Sequence, residues 1–434
     1  MNYKKVMFAI GTSALLLGAC TDEKKTADVN DEAESSKAVE TVETEVESVT
    51  ETETETDDAL EELRTALEEL KPKEAAASGD DTAILNPNIA EMTEGVVEVL
   101  YTNKEPGYAH DMDGFVVTID EYQITKVSDI NRDSEYLFKD NVEGYVVTAL
   151  ATYENKRSNP VYYGGFASLL MDDRYDIVYG DRFKLVPRED VLQSDDPTSA
   201  SKYPAGFKKQ GFLSFVMTNE QYEKLANTKP KLIIAGGAAE REDMRGGYLE
   251  EAVFDFIYNE DSKEATESGP DYYRDDLTNQ NIADKKLVFE KKDIGQKLEL
   301  NGLEVTLEGV QYTEIKPSAE YVNTFRNFAD DGIIAVTVKL NIDNKSEETV
   351  RLDGIQSILS VDDGEFRYLY QGSLEPDTLK TIEPGKSSEK LHVFLIDKYE
   401  FDRHEKFDLI FGPFTGDDGK KMFKGRDLLF KLPR

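Results

Sequence analysis

The sequence predicts an all-β protein: two tandem antiparallel β-sandwich domains behind a signal peptide and a disordered acidic tether with short helices. Three observations predict it. A set of motifs recurs once at a nearly constant offset, short runs inside each copy alternate apolar with polar residues, and the stretch before the first copy is an apolar leader followed by a charged low-complexity segment.

Residues 1–19 come first. Lys4 and Lys5 give a positive head, residues 6–17 an apolar stretch too short to span a bilayer, and Gly18 and Ala19 the small residues that permit cleavage. Leu17-Gly18-Ala19-Cys20 resembles the lipobox of a bacterial lipoprotein signal. That resemblance implies a diacylglycerol on the Cys20 thiol, a mature N-terminus at Cys20, and anchoring in a membrane through its acyl chains. An ordinary cleaved signal with an incidental cysteine is the alternative. Cys20 is the single cysteine, so no thiol remains for a disulfide framework, a cysteine-type zinc site or a cysteine nucleophile.

Residues 20–85 read as a disordered acidic tether. Units such as Glu51-Thr52-Glu53-Thr54-Glu55-Thr56 cannot bury enough apolar area to offset the entropy of ordering. As a coil, this segment would span about 45 Å, and more under charge repulsion. Within it, 57–71 reads as a short helix, with Asp57 and Asp58 at its positive end, Pro72 after it, and Leu60, Leu63, Leu67 and Leu70 on one stripe. Two heptads fit a transient or docked helix as well as a dimerisation element. A second helix is expected over 88–101.

The repeat organises the remainder. Gly114-Phe115-Val116-Val117-Thr118-Ile119 matches Gly302-Leu303-Glu304-Val305-Thr306-Leu307, an offset of 302 minus 114, or 188. Gly144-Tyr145-Val146-Val147 matches Gly332-Ile333-Ile334-Ala335, and Asn155-Lys156-Arg157-Ser158 matches Asn344-Lys345-Ser346. Ser168-Leu169-Leu170-Met171-Asp172-Asp173 returns as 357–363. Pro204-Ala205-Gly206 and Phe212-Leu213-Ser214-Phe215 then pair with Pro384-Gly385 and Leu391-His392-Val393-Phe394, so the first copy holds about ten extra residues near 184–203. Val336, Val338, Leu340 and Ile342 alternate with Thr337, Lys339, Asn341 and Asp343, the pattern of a half-buried antiparallel strand. Residues 219–226 and 398–404 each suit a helical turn. The expected layout is a first β domain over 86–258 with an N-terminal helix, a linker over 259–284, and a second β domain over 285–434.

This order of strands and turns resembles the tandem immunoglobulin-like domains of unknown function found in lipoproteins of Gram-positive bacteria, over residues 107–258 and 293–432. The resemblance implies an Ig-like sandwich for each copy and a monoderm envelope, with no catalytic motif to carry over.

The chemistry is sparse. Asp and Glu number 88 against 51 Lys and Arg, which disfavours nucleic acid and favours cations or basic proteins as partners, solubility being the plain alternative. His110, His392 and His404 have no metal-ligand spacing. Gly385-Lys386-Ser387 lacks the earlier glycine of a phosphate loop, since Lys380 stands there, and Ser168 lacks the following glycine of a nucleophile elbow, since Leu170 stands there. Paired acids at loop ends, Asp172 with Asp173 and Asp362 with Asp363, are the candidates for a calcium site. Asp111-Met112-Asp113-Gly114 has the opening of a calcium loop without the rest. Tyrosines number 22, with no tryptophan, and strand packing accounts for most of them.

The expectation is a non-enzymatic, membrane-anchored lipoprotein on the extracellular face of the cell membrane, with two β-sandwich modules that bind a protein or envelope ligand. It has no cofactor and no nucleic-acid partner. A wall-active hydrolase using Asp or Glu carboxylates and a calcium-dependent adhesion module are the competing readings.

Overall fold

Long strands whose apolar faces bury against a second sheet decide the architecture. The computed structural model describes residues 83–172, 175–328 and 331–434, all within one compact unit. The leader, Cys20, the tether to residue 82, its expected helix over 57–71, and Asp173 lie outside the described residues.

In the first half the strands are β1 (Val96–Asn103), β2 (Tyr108–Met112), β3 (Phe115–Ser128), β4 (Gly144–Asn155), β5 (Val161–Tyr162), β6 (Ala167–Leu170), β7 (Ile177–Tyr179), β8 (Lys202–Tyr203), β9 (Lys208–Met217), β10 (Lys231–Ile234) and β11 (Ala252–Asp255). One sheet runs β1-β3-β4-β9, with β2 also on β3, and another runs β11-β10-β6-β7. Their facing side chains, Val117, Ile124, Val147 and Phe215 against Leu169, Val178, Leu232 and Ile234, form one buried core. Each such side chain contributes about 1.5–3 kcal/mol.

The second half holds β12 (Ala283–Lys291), β13 (Gln296–Leu300), β14 (Leu303–Pro317), β15 (Ile333–Asn344), β16 (Val350–Arg351), β17 (Ser357–Val361), β18 (Phe366–Leu369), β19 (Thr381–Ile382), β20 (Ser387–Asp397), β21 (Phe407–Phe411), β22 (Thr415–Gly416) and β23 (Leu428–Leu432). Its sheets run β12-β14-β15-β20, with β13 on β14, and β18-β17-β21-β23. These are the first-half orders element for element. Even the irregularities recur: bulges interrupt the first strand pair at Val99/Tyr101 and at Leu287/Phe289, and the next at Ile119/Glu121 and at Leu307/Gly309. The repeat in sequence is therefore a repeat in topology, and the protein is all-β with antiparallel sheets.

One residue per copy fixes the corner after the long central strand. Asn155 Nδ2 donates to the carbonyls of Asn159, Tyr203 and Pro204, and Asn344 Nδ2 to those of Glu348 and Ile382. Their Oδ1 atoms accept from the backbone N–H of Arg157 and Ser346. The glycines that pack under these corners, Gly114 and Gly302, adopt φ of +95° and +85°, a region that L side chains avoid.

Two expectations need correction. The 88–101 helix stops at Thr93, because Glu94 turns left-handed and Gly95 lies so close to the Ser128 carbonyl that a Cβ would sit 2.6 Å from it. Beyond it, Val96-Val97-Glu98-Val99 pairs with β3 as β1. The 259–284 stretch is more than a linker. After an exposed helix, Glu260–Ser268, residues 271–277 lie against the outer face of the second large sheet as residues 83–89 lie against the first. Gln123 holds the earlier segment, accepting from Leu85 N and donating to Ala83 O. Gln311, 188 residues on, holds the later one, accepting from Tyr273 N and donating to Asp271 O. Ile89 and Leu277, again 188 apart, then bury fully on those faces. This covering segment explains why Thr337, on the polar side of β15, is also fully buried.

Consecutive side chains of that segment reach both halves. The Arg274 guanidinium bonds the Asp255 carboxylate at 2.7 Å, beside buried Lys231, while Asp275, wholly buried, bonds Lys285 and the Thr337 hydroxyl of the second sandwich.

Candidate functional site

A cleft of about 1230 Å³ lies among the described residues. One wall comes from the first sandwich: the β2–β3 turn, the loop ahead of β11, and β11 itself. The other comes from the second: residues 376–383 and the first half of β20. Glu250 spans it, with Oε1 accepting from Leu379 N, Oε2 accepting from the Tyr248 hydroxyl, and its carbonyl 2.9 Å from His110 Nε2. Burial lowers the His110 pKa, consistent with a neutral ring edge-on to Tyr248.

The cleft lining is mixed but tilts acidic, with eight carboxyl side chains against six basic ones. Four of its cations are engaged: Arg157 donates to the carbonyls of Met112 and Asp113, Arg241 pairs with Asp243, Arg274 with Asp255, and Lys390 with Glu375. Carboxyls converge without equal compensation. Glu251 is pushed upward by burial and by the charge of Asp377. Asp276 is pushed up to about 7 by burial, then by Asp275, Asp377, Glu251 and Glu375. Glu251 and Asp377, from separate segments, both line the cleft, and a cationic group entering it would relieve the crowding at Glu251.

A second polar cluster lies beneath β20. Ser357 Oγ stands 2.6 Å from His392 Nδ1, and Glu375 Oε1 stands 3.3 Å from the same nitrogen. The residue types suggest a hydrolytic triad, yet the geometry differs: a relay needs the serine and the carboxylate on opposite ring nitrogens. Here Nε2 is buried without a hydrogen bond, and Ser357 and His392 are wholly inaccessible between Tyr370 and Phe411. Burial drives the His392 pKa well down and lifts Glu375 to about 7. The cluster is packing.

The calcium candidates do not converge. Asp172 is an exposed loop residue. Asp362 Oδ2 is 2.7 Å from His404 Nδ1, Asp362 Oδ1 accepts from Lys406 N, and Asp363 pairs with the Lys406 ammonium. Among the described residues no group of three or more His, Cys, Asp or Glu could hold a metal ion. Asp111 is likewise committed, its Oδ1 accepting from Gly114 N to close the β2–β3 turn.

The His404–Asp362 pair makes a pH prediction. The carboxylate's hydrogen bond raises the His404 pKa, and the histidine lowers that of Asp362. The histidine's contribution is complete below its unfolded value near 6.5 and is lost as pH rises through the raised folded value; the aspartate's is present above its unfolded value near 3.8 and is lost as pH falls through the lowered folded value. The melting-temperature gap between wild type and His404→Asn should therefore be widest between those two unfolded values. Above pH 6.5 it should narrow, and a gap constant from pH 5 to 9 would refute the pairing.

No sequence motif marked the cleft, since its walls join residues far apart in the chain. Gln123 and Gln311, which set the covering segments, could have been found from their spacing of 188 and the threonine two places after each.

A family profile described as a domain of unknown function (DUF5068) matches residues 73–259, a range that includes the first sandwich. No curated protein matches the chain. Among solved structures, a functionally unknown protein from Listeria monocytogenes is 19% identical over 40% of this chain and 93% of that one, with a TM-score of 0.34. A β-sandwich protein from Clostridium difficile is 13% identical over 33% of this chain and 95% of its own, with a TM-score of 0.22. A Bacillus subtilis protein described as a candidate lipoprotein is 18% identical over 33% of this chain and 39% of its own, also at 0.22. Among the described residues no helix is long and apolar enough to cross a membrane.

Proposed function

We propose that this protein is a lipid-anchored, non-catalytic binding protein of the bacterial cell surface, held in the membrane through a diacylglyceryl Cys20, standing off it on its acidic tether and capturing a protein or envelope ligand between two Ig-like β-sandwich modules. The observation that carries the binding role is the cleft, whose lining bears eight carboxyl side chains against six basic ones, with Glu251 and Asp377 set against each other. The sealed Ser357–His392 cluster offers no route for substrate, which supports binding over hydrolysis. The reading calls for no cofactor and no nucleic-acid contact.

Two measurements test the parts separately. Cys20→Ala should move the protein from the membrane fraction into the medium, and retention on membranes would refute the anchor. Crosslinking on intact cells should capture a partner with wild type and lose it with Glu251→Lys combined with Asp377→Lys. Undiminished capture by that variant would refute the cleft as the binding site, and turnover of wall polymer by the purified chain would replace the reading with the hydrolase.

A further inference from the structure

We infer that the cleft-facing edge of β20, over residues 387–391, accepts an extended lysine- or arginine-rich peptide as an added antiparallel or parallel strand. This rests on the binding role proposed above and names the class of partner.

Comparing the two copies exposes the edge. In the first, the strand edge away from β4 is covered from Gly211 to Ser214: Asp181 and Ser214 exchange two backbone hydrogen bonds of 2.8 Å, and Val191 bridges Phe212. The covering chain lies so close that a Cβ on Gly211 would sit 2.4 Å from the Asp190 carbonyl. The part of the cover made by Asp190 and Val191 belongs to the extra residues near 184–203. In the second copy the insertion is missing. Gln371 N reaches Val393 O at 2.7 Å, the counterpart of the Asp181 contact, but no bridge or strand is paired with β20 beyond it, among the described residues, on the side away from β15.

Alternation gives the directions. Because the Val393 carbonyl points away from β15, the backbone groups of Leu391, Glu389 and Ser387 do too. Those residues line the cleft, and Ser387 and Glu389 are exposed. Five residues of strand span about 17 Å. Main-chain hydrogen bonds would give affinity without demanding a sequence, as in other cases of strand addition. Charge selects the peptide: the cleft lining carries eight carboxyl side chains against six basic ones, Glu251, Asp377 and Glu389 among the acids, and this favours cationic side chains.

The test uses the full chain carrying Cys20→Ala and, as probe, an acetylated peptide of alternating Lys and Val about ten residues long. Hydrogen exchange at the Glu389 and Leu391 amides should slow at least roughly tenfold with the peptide bound. A peptide methylated on alternate backbone nitrogens, made in both phases, should fail in at least one phase although its charge is unchanged. Glu389→Pro removes an outward N–H that the β15 ladder does not use, so it should abolish the protection, whereas Gln210→Pro at the equivalent place in the first copy should leave it intact. Should Glu389→Pro not fold, the methylated peptides on the unsubstituted edge decide. Absent protection, equal protection by both methylated peptides, or concentration-dependent protection without peptide, which would make a second copy the occupant, each overturns the inference. A cleft-dependent partner captured on cells together with an unprotected β20 would overturn this inference alone and leave the binding role standing.

Discussion

Asp275→Ala should destabilise the second sandwich by about 3–5 kcal/mol, one of the largest losses available to a single substitution in this protein. Asp275 is wholly buried and carries the ion pair to Lys285 and the 2.7 Å bond from the Thr337 hydroxyl. The Lys285 side chain is itself only 2% exposed, and burial already lowers its pKa. Without the carboxylate a buried ammonium remains with its charge uncompensated, near the Tyr272 ring. The urea midpoint followed by circular dichroism should fall, and hydrogen exchange should quicken first along β14 and β15. A loss below about 1 kcal/mol would mean that the pair contributes no more than an exposed one.

The first copy supplies the control. By the offset of 188, Asp275 corresponds to Pro87 and Lys285 to Val97, both apolar, and Thr148, which lies opposite Gln123 as Thr337 lies opposite Gln311, keeps a buried hydroxyl with no hydrogen bond. The same scaffold thus closes without the ion pair. Asp275→Ala combined with Lys285→Met should recover most of the single-variant loss, because removing both charges also removes the desolvation that each requires. A double variant as unstable as the single one would show that Asp275 acts through the segment's backbone and not through charge.

How much of this was legible in the sequence depends on the range of each signal. The strands of the second large sheet follow from Val336, Val338, Leu340 and Ile342, where alternation is local and unbroken, and the offset of 188 predicted a duplication that the strand orders repeat. Local rules failed over 88–101, where helical spacing continues past Thr93 although β-branched Val96, Val97 and Val99 satisfy β3 better. They also failed over 271–282, where Arg274 and Asp275 read as linker charges because their partners, Asp255 and Lys285, declare themselves only in three dimensions. The cleft was not legible for the same reason. Glu251, Asp276 and Asp377 are ordinary acids in an acidic chain until folding sets them against one another.

Asn344→Ala should cost about 3 kcal/mol, since removing a side chain that pairs several buried groups leaves each of them unsatisfied at about 1–3 kcal/mol. Asn344 is wholly buried; Nδ2 donates to the Glu348 and Ile382 carbonyls at 2.9 Å, and Oδ1 accepts from Ser346 N at 3.1 Å. These bonds hold the end of β15 to the β19 turn, as Asn155 holds β4 to Tyr203 and Pro204. The buried Ile382 carbonyl cannot turn to solvent without opening that corner, so the loss is of stability and not merely of local order. Asn344→Asp separates the two roles of the amide. Aspartate keeps an acceptor for Ser346 but cannot donate to either carbonyl while ionised, and it buries a charge with no cation beside it. It should therefore lower the urea midpoint at least as far as alanine does, with the gap widening as pH rises and the carboxyl ionises. An Asn344→Asp protein as stable as wild type at neutral pH would mean that the Nδ2 bonds do not hold the corner, and the matching role of Asn155 would fall with it.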